Sequence, residues 1–218
     1  VKAYERGFQK DLVTAHAGLD RDNNLRADST LEKLTKLKPA FERSAKGTLT
    51  AGNSSPLTDG AAACLLASEE WAKKHGFETQ ARIVDAEVSA VDFTKEGLLM
   101  APAYAVAKML TRNNLKLQDF DFYEIHEAFA AQVLCTLKAW ESETFCRERL
   151  GLRGALGSID RKKLNVVGGS VALGHPFGAT GARVLATGAK LLEENGKGRV
   201  LISVCTGGGM GVTAILER

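Results

Sequence analysis

From about residue 50 onward, short runs of β-branched and apolar residues alternate with segments whose apolar residues recur at helical spacing. In 179–195, for example, Ala182, Leu185, Ala189 and Leu192 share one helical face. This alternation predicts an α/β fold in which a mixed sheet is layered between helices. From residue 81 the predicted order is βαβαβαββ, with strands at 81–91, 120–125, 164–173, 199–205 and 210–216 and helices at 104–113, 127–140 and 179–195; a strand at 61–67 and a helix ending at His75 precede it.

The first fifty residues lack this alternation. Polar, turn-forming residues dominate 20–30, and a short helix predicted at 30–37 ends before Pro39. We therefore divide the chain into an extended region with little core of its own, 1–50, and a domain at 51–218.

Composition excludes several classes of function. A formal charge of +3 and 6% aromatic residues give no basic, aromatic-rich surface for nucleic acid. The four cysteines include no CxxC pair, so neither a disulfide scaffold nor a zinc site is predicted. The longest uncharged stretch, 164–182, contains five glycines, a histidine and a proline, which argues against a transmembrane segment.

Glycine-rich motifs in this chain do not indicate a nucleotide site. The segment 207–211 is followed by a predicted strand rather than a helix, so it is no dinucleotide fingerprint, and no P-loop sequence is present. The HExxH pattern of zinc proteases is also absent, because Ala130 stands where its second histidine would be.

Three segments place reactive side chains where predicted strands end or helices begin. His126 follows a strand, His175 precedes Pro176 near a helix start, and Cys205 ends a strand before three glycines. Strand ends in layered folds collect functional groups, and free N–H groups at helix starts and glycine turns can donate to an anion. Taken singly, each residue also fits a structural role, as a capping histidine, a satisfied strand-end histidine or an inert buried thiol.

Together, the motifs HEAF, GHPFGATG and CTGGGMG, preceded by NSSPLTDGAAA from Asn53, resemble the thiolase family. The resemblance runs from about Asp28 to Arg218 and corresponds to the C-terminal half of such an enzyme, with 1–50 as the tail of its substrate-covering loop region. It implies a thiolase-like layered fold and an acetyl-CoA C-acyltransferase, which cleaves 3-ketoacyl-CoA with free CoA in fatty-acid β-oxidation. The HEAF motif is similar to that of the long-chain type found in trifunctional complexes.

The resemblance implies a role for four catalytic positions. His175 would take the proton from a nucleophilic cysteine. Cys205 would protonate the acetyl-CoA enolate and later deprotonate the incoming CoA thiol. His126, where many thiolases carry asparagine, would donate to the thioester oxygen directly or through water, and the backbone N–H of Gly207 would help form a second oxyanion hole.

Substrate-binding positions follow from the same resemblance. Ser55 would contact the pantetheine of coenzyme A, and Ala128 and Phe129 would line its tunnel. Coenzyme A enters as a substrate, so no cofactor and no metal are implied.

The family's nucleophilic cysteine lies in an N-terminal half that these residues do not include. Cys64 falls within the alanine-rich run predicted as a strand, and Cys135 and Cys146 lie on or after the helix that follows HEAF, so none replaces it. We therefore expect the chain alone to be inactive. The alternatives are a CoA-binding or subunit-assembly module without catalysis, and a synthetic acetoacetyl-CoA-type thiolase.

Partners and location are expected from the resemblance alone. Acyl-CoA and CoA are the expected ligands, and a homo-oligomer, with a hydratase/dehydrogenase subunit as a further partner, is the expected assembly. The chain is expected to be cytoplasmic, or mitochondrial in a eukaryote. The C-terminal residues ILER carry no peroxisomal signal.

Overall fold

The computed structural model describes all residues from Val1 to Arg218. The strands are β1 (Arg82–Ala90), β2 (Phe122–Ile125), β3 (Arg199–Thr206) and β4 (Met210–Glu217). The α-helices are α1 (Lys2–Glu5), α2 (Leu31–Thr35), α3 (Glu69–Lys74), α4 (Phe93–Glu96), α5 (Ala101–Arg112), α6 (Ala130–Glu141), α7 (Glu143–Glu148), α8 (Ser170–Leu173) and α9 (Thr180–Asn195), and a 3-10 turn covers Arg161–Lys163.

The four strands form one mixed sheet in the order β1-β4-β3-β2. β4 pairs antiparallel with both β1 and β3, whereas β2 pairs parallel with β3. Five of the eight residues of β3 are buried, while most of the edge strand β1 is exposed. A strand buried on both faces requires cover on both, and the helices provide it.

Each face of the sheet packs against different helices. Tyr123, Leu201 and Ile215 belong to the main core, which also contains the apolar faces of α5 and α6. The neighbouring residues Val200 and Ile202 point to the opposite face and pack against α9. Because side chains alternate along a strand, the apolar runs of β2 and β3 supply both layers. The predicted α/β fold, a mixed sheet between helices, is confirmed.

Two predicted strands are wrong. Residues 61–67 adopt no regular structure, and no backbone hydrogen bond involves them, since no strand lies alongside to pair with them. Residues 164–173 make a single bridge, Leu164 with Tyr123, and then turn. Asn165 and Gly168 have φ of 46° and 96°, which breaks the extended run before α8 begins.

The N-terminal region is held to the domain by a small apolar cluster. Ala3 and Phe8 are buried against Val167 and Leu191, the latter on α9. The short helix predicted near 30–37 is confirmed as α2, whose first turn is capped by the Thr30 hydroxyl accepting from the Lys33 N–H at 3.2 Å. None of the nine α-helices combines the length and apolar content that crossing a membrane would require.

The turn between β3 and β4 depends on one glycine in particular. Gly209 has φ of +77°, and a Cβ added there would lie 2.5 Å from the carbonyl oxygen of Val91. Gly209→Ala is therefore expected to lower the free energy of unfolding by about 3 kcal/mol, from left-handed backbone strain and the clash combined. Urea unfolding would measure this loss.

The adjacent Gly208 is the matched control for that substitution. Its φ is +87°, but an added Cβ would meet nothing within 4 Å. Gly208→Ala is expected to cost only the backbone strain, about 1 kcal/mol. Equal losses for the two variants would contradict a role for the contact with Val91.

Candidate active site

The parallel pairing of β2 with β3 brings the first two candidate residues to one edge of the sheet. The N–H of His126, just after β2, donates to the carbonyl oxygen of Ser203 at 2.8 Å. Cys205 lies two residues further along β3, and both side chains border the same small void of about 10 Å³. The carboxyl ends of adjacent parallel strands lie together, which is where functional groups collect in such sheets.

The loop that carries GHPFG brings a second imidazole to this edge. The rings of His126 and His175 have centroids 4.2 Å apart, and the ring of Phe177 lies 4.8 Å from that of His175 on the solvent side. His175 Nδ1 lies 2.6 Å from the Thr180 hydroxyl. Thr180 begins α9, so the first turn of that helix orients the imidazole.

An extended segment, 53–57, joins the two histidine-bearing loops. Ser55 N–H donates to the Ala128 carbonyl at 3.0 Å, and His175 N–H donates to the Pro56 carbonyl at 3.1 Å. The Ser55 residue is partly exposed, and its hydroxyl makes no hydrogen bond within the chain. The structure therefore places Ser55, Ala128 and His175 side by side, with the hydroxyl free to meet a ligand.

Phe129 and Gly207 complete the predicted set at the rim of this cluster. Phe129 precedes α6, and its half-buried ring packs edge-on against Phe41 at 5.5 Å. Gly207 lies exposed in the β3–β4 turn, and its N–H donates to no protein acceptor. An unpaired backbone donor beside a thiol can bind a developing oxyanion.

Burial holds both imidazoles in the neutral state at neutral pH. Burial, with smaller contributions from the nearby His175 and the Arg183 charge, lowers the pKa of His126 to about 3. Burial and then Arg183 also lower the pKa of the less buried His175. A neutral imidazole can accept a proton from an acid or donate an N–H to an oxygen.

Cys205 is a protonated thiol at neutral pH. Burial raises its pKa to about 11, while N–H groups, its own and that of Ala128, act in the opposite direction by stabilising the thiolate. Cys205 is 8% exposed. The thiol is thus suited to give up a proton only when a strongly basic atom is placed against it.

The structure adds polar groups, two of them fully buried, that the sequence reasoning did not identify. Glu124 on β2, Ser170 on α8 and Arg183 on α9 lie behind His126, and Ser170 Oγ lies 2.9 Å from His126 Nδ1. The position of Glu124 within the predicted strand 120–125 could have indicated a buried carboxyl. Ser170 carried no signal, because it fell in a stretch predicted as a strand.

Glu124 makes stability depend on pH. It is 2% exposed, and burial raises its pKa from 4.5 to about 8, although the Arg183 charge acts to lower it. Between those values the folded chain keeps a proton that the unfolded chain releases. The contribution of this protonation to the free energy of unfolding is therefore complete below about pH 4.5. It falls by about 1.4 kcal/mol for each pH unit as the pH rises towards 8.

Glu124→Gln is expected to remove this decline. Its free energy of unfolding, measured in urea at a series of pH values, should rise relative to the parent chain between about pH 5 and pH 8. Glu70→Gln, at an exposed position on α3, is the control and should follow the parent. A difference between Glu124→Gln and the parent that is constant over this range would show that the carboxyl does not carry the dependence.

The other three cysteines lie outside the cluster. The Cys64 thiol donates to the Ala182 carbonyl at 3.2 Å, from the irregular segment 61–67 rather than from a buried strand as predicted. Cys135 is exposed on α6, and Cys146 is buried on α7 with its thiol near the carbonyls of Ala139 and Trp140. None of the three borders the void beside His126.

A cavity much larger than the void beside His126 lies next to the cluster rather than within it. It has a volume of about 420 Å³ and lies between the N-terminal region, residues 58–63 and α9, with Arg183 at its wall. Neither His126 nor Cys205 lines it. No group of three or more His, Cys, Asp or Glu side chains is arranged to hold a metal ion.

Sequence relatives match nearly the whole chain. A 3-ketoacyl-CoA thiolase of Shewanella woodyi is 45% identical over 213 residues, which are 95% of this chain and 48% of that protein. A 3-ketoacyl-CoA thiolase of Pectobacterium carotovorum is 44% identical over 222 residues, 99% of this chain and 50% of that protein. The chain thus spans about half the length of these relatives.

Solved structures give the same result. The acetyl-CoA acetyltransferase of Bacillus anthracis superposes with a TM-score of 0.80 at 39% identity, over 99% of this chain and 52% of that one. Human mitochondrial 3-ketoacyl-CoA thiolase superposes with a TM-score of 0.79 at 34% identity, over 99% of this chain and 51% of that one. Residues 77–218 match the thiolase C-terminal domain, and residues 1–70 match the thiolase N-terminal domain. With its two imidazoles and its thiol at the strand ends, the chain belongs to the thiolase family.

Proposed function

We propose that this chain supplies the acid/base part of a thiolase active site that cleaves 3-ketoacyl-CoA with CoA. The observation that carries the proposal is the arrangement of His126 and His175, with rings 4.2 Å apart, at the strand edge that also carries Cys205. The names of the Shewanella and Pectobacterium relatives, 3-ketoacyl-CoA thiolase, support this direction of the reaction.

His175 acts first in the proposed reaction. Its neutral ring takes the proton of a cysteine thiol, and the thiolate attacks the 3-keto carbon of the substrate. The bond between carbons 2 and 3 then breaks, leaving an acyl group on the cysteine and an acetyl-CoA enolate. His126 and the now protonated His175 face the enolate's thioester oxygen and stabilise its charge.

Cys205 completes both halves of the reaction. Its thiol gives a proton to carbon 2 of the enolate, which releases acetyl-CoA. The resulting thiolate takes the proton of the incoming CoA thiol, whose sulfur attacks the acyl group and frees the nucleophilic cysteine. The free N–H of Gly207 supports binding of the carbonyl oxygen in the acyl-transfer steps, and Ser55, Ala128 and Phe129 form the entry for the pantetheine arm.

The nucleophilic cysteine comes from outside these 218 residues. None of Cys64, Cys135 and Cys146 borders the void beside His126, which supports a chain that has an acid and a base but no nucleophile between them. Coenzyme A participates as a substrate, with no resident cofactor. The complete enzyme forms a homo-oligomer in the cytoplasm, with a hydratase/dehydrogenase subunit as a further partner.

A chimera tests this function. The N-terminal half of the Shewanella woodyi relative is placed before this chain, and cleavage of 3-ketoacyl-CoA by CoA is followed for the chimera and for the chain alone. Turnover is expected from the chimera only. Turnover by the chain alone that is lost on substituting Cys64, Cys135 or Cys146 would contradict the proposal.

The chimera also separates the alternatives. CoA binding by a folded chimera without turnover would favour a binding or assembly module. The similarity to an acetyl-CoA acetyltransferase supports testing acetoacetyl-CoA beside longer substrates. A rate confined to the four-carbon substrate would favour the synthetic type.

A further inference from the structure

The hydroxyl of Ser170 lies between two nitrogen groups behind the candidate active site. Ser170 is the first residue of α8 and is 1% exposed. Arg183 Nη2 donates to its Oγ at 2.8 Å, and His126 Nδ1 lies 2.9 Å from the same oxygen. No other side chain hydrogen-bonds to this hydroxyl, so its contacts form a short chain from Arg183 to His126.

The directions of these hydrogen bonds follow from which groups can donate. A guanidinium has only donors, so Ser170 Oγ is the acceptor towards Arg183. The hydroxyl has one hydrogen, and His126 Nδ1 is the one acceptor within reach. Leaving that hydrogen unpaired in a buried site would cost about 1–3 kcal/mol. The hydroxyl therefore donates to Nδ1, which must carry no hydrogen of its own.

We infer that Ser170, oriented by Arg183, holds His126 in the tautomer with its hydrogen on Nε2, so that a neutral imidazole presents a hydrogen-bond donor to the active site. His126 Nε2 is buried and has no partner within the chain. In the other tautomer this atom would present a lone pair and would repel an oxygen. Ser170 is thus a positioning residue, which acts through His126.

The acceptor for this donor is the thioester oxygen if the proposed function is correct. The tautomer itself does not depend on that function, because it follows from the contacts of Ser170 alone. The charged and titratable groups that act on His126 are His175 on its loop and Arg183 on α9, and the Cys205 thiol borders the same void. The Glu124 carboxyl on β2 interacts with Arg183 instead. Only Ser170 contacts Nδ1 of His126.

His175 has a different arrangement. Its Nδ1 also meets a hydroxyl, that of Thr180, but this hydroxyl lies 3.3 Å from the Pro176 carbonyl oxygen, which can accept its hydrogen. No guanidinium donates to Thr180. Only at His126 do the surrounding groups fix which atom donates in the hydrogen bond to Nδ1; at His175 the Thr180 hydroxyl has a second acceptor.

Nitrogen NMR of the 218-residue chain tests the inference. Histidine labelled with ¹⁵N gives signals from four residues, and His126→Gln identifies those of His126. At pH 7 the parent is expected to show an unprotonated Nδ1 and a protonated Nε2. In Ser170→Ala the preference for the Nε2-protonated tautomer should be lost, so that the ¹⁵N chemical shifts of Nδ1 and Nε2 move towards each other. Ser170→Thr, which keeps the hydroxyl, should retain the parent pattern.

Ser89→Ala is the matched control. Ser89 is 3% exposed, its hydroxyl has no partner, and β4 separates its strand β1 from β3, which carries Cys205. It should leave the His126 signals unchanged. Where Ser170→Ala does not fold, Ser170→Cys, with its weaker donor, replaces it and should lose part of the preference.

Two results would overturn the inference. One is a hydrogen on Nδ1 of His126 in the parent chain; the other is an unchanged tautomer in folded Ser170→Ala. Both NMR measurements of the tautomer are made on the chain without substrate. A chimera that lacks thiolase turnover while His126 keeps its hydrogen on Nε2 would reject the proposed function and leave this inference standing.

Discussion

Replacing Cys205 with alanine is expected to reduce turnover of the chimera about 10³-fold in both cleavage and condensation, within the range typical of general acid–base catalysis. Burial raises the pKa of this thiol to about 11, so it holds a proton at neutral pH that a carbanion can take. Alanine offers no proton to the enolate and no base to the CoA thiol. Steady-state rates with 3-ketoacyl-CoA and with acetyl-CoA would measure both directions.

Cys146→Ala is the control for this loss. Its thiol is also buried, but it lies among the carbonyls of Ala139 and Trp140, away from the imidazoles. The variant should lose about 1–2 kcal/mol of stability and keep its rate. A Cys205→Ala rate close to that of the parent chimera would reject the acid/base role, provided that thermal unfolding shows both variants folded.

Replacing His175 with alanine is expected to lower turnover by about 10³-fold through a different step. Burial and the Arg183 charge lower the pKa of His175, so the ring is neutral and able to take the proton of the nucleophilic cysteine. Without it, that cysteine should remain a thiol. Alkylation of the chimera by iodoacetamide at pH 7 reports the thiolate directly and should slow in parallel with turnover.

His75→Ala provides the comparison for His175→Ala. His75 is exposed at the end of α3, where its ring stacks on Trp71 at 4.1 Å. It should change neither turnover nor the rate of alkylation. If His175→Ala lost turnover but kept the parent's alkylation rate, the histidine would act later than cysteine activation.

The spacing of apolar residues along the chain was enough to predict most of the larger helices and strands. The helices α5, α6 and α9 and the strands β2 to β4 follow from apolar spacing that the residues themselves carry, because a helix or strand with one apolar face must bury it. The mostly exposed edge strand β1 follows instead from its β-branched residues. The two strands that were predicted wrongly had the apolar content but not the neighbours. Residues 61–67 have nothing to pair with, and 164–173 turn at Asn165 and Gly168.

The residues of the candidate site were predictable from the sequence, but their arrangement in space was not. His126, His175 and Cys205 were predicted from motifs, because strand ends and helix starts can be read along the chain. That the two imidazoles lie 4.2 Å apart was not predictable from local pattern, since it depends on the segment 53–57 joining the loops that carry His126 and His175. The parallel pairing of β2 with β3 decides only that His126 lies beside Cys205.

The buried groups behind the imidazoles were decided by tertiary structure alone. Glu124, Ser170 and Arg183 come from three different elements, β2, α8 and α9, and each is an ordinary polar residue where it stands in the chain. The pKa of a buried group and the direction of a hydrogen bond depend on neighbours in space. The sequence by itself thus determined which residues could do acid/base chemistry, and only the packing of α8 and α9 against β2 decided how His126 holds its proton.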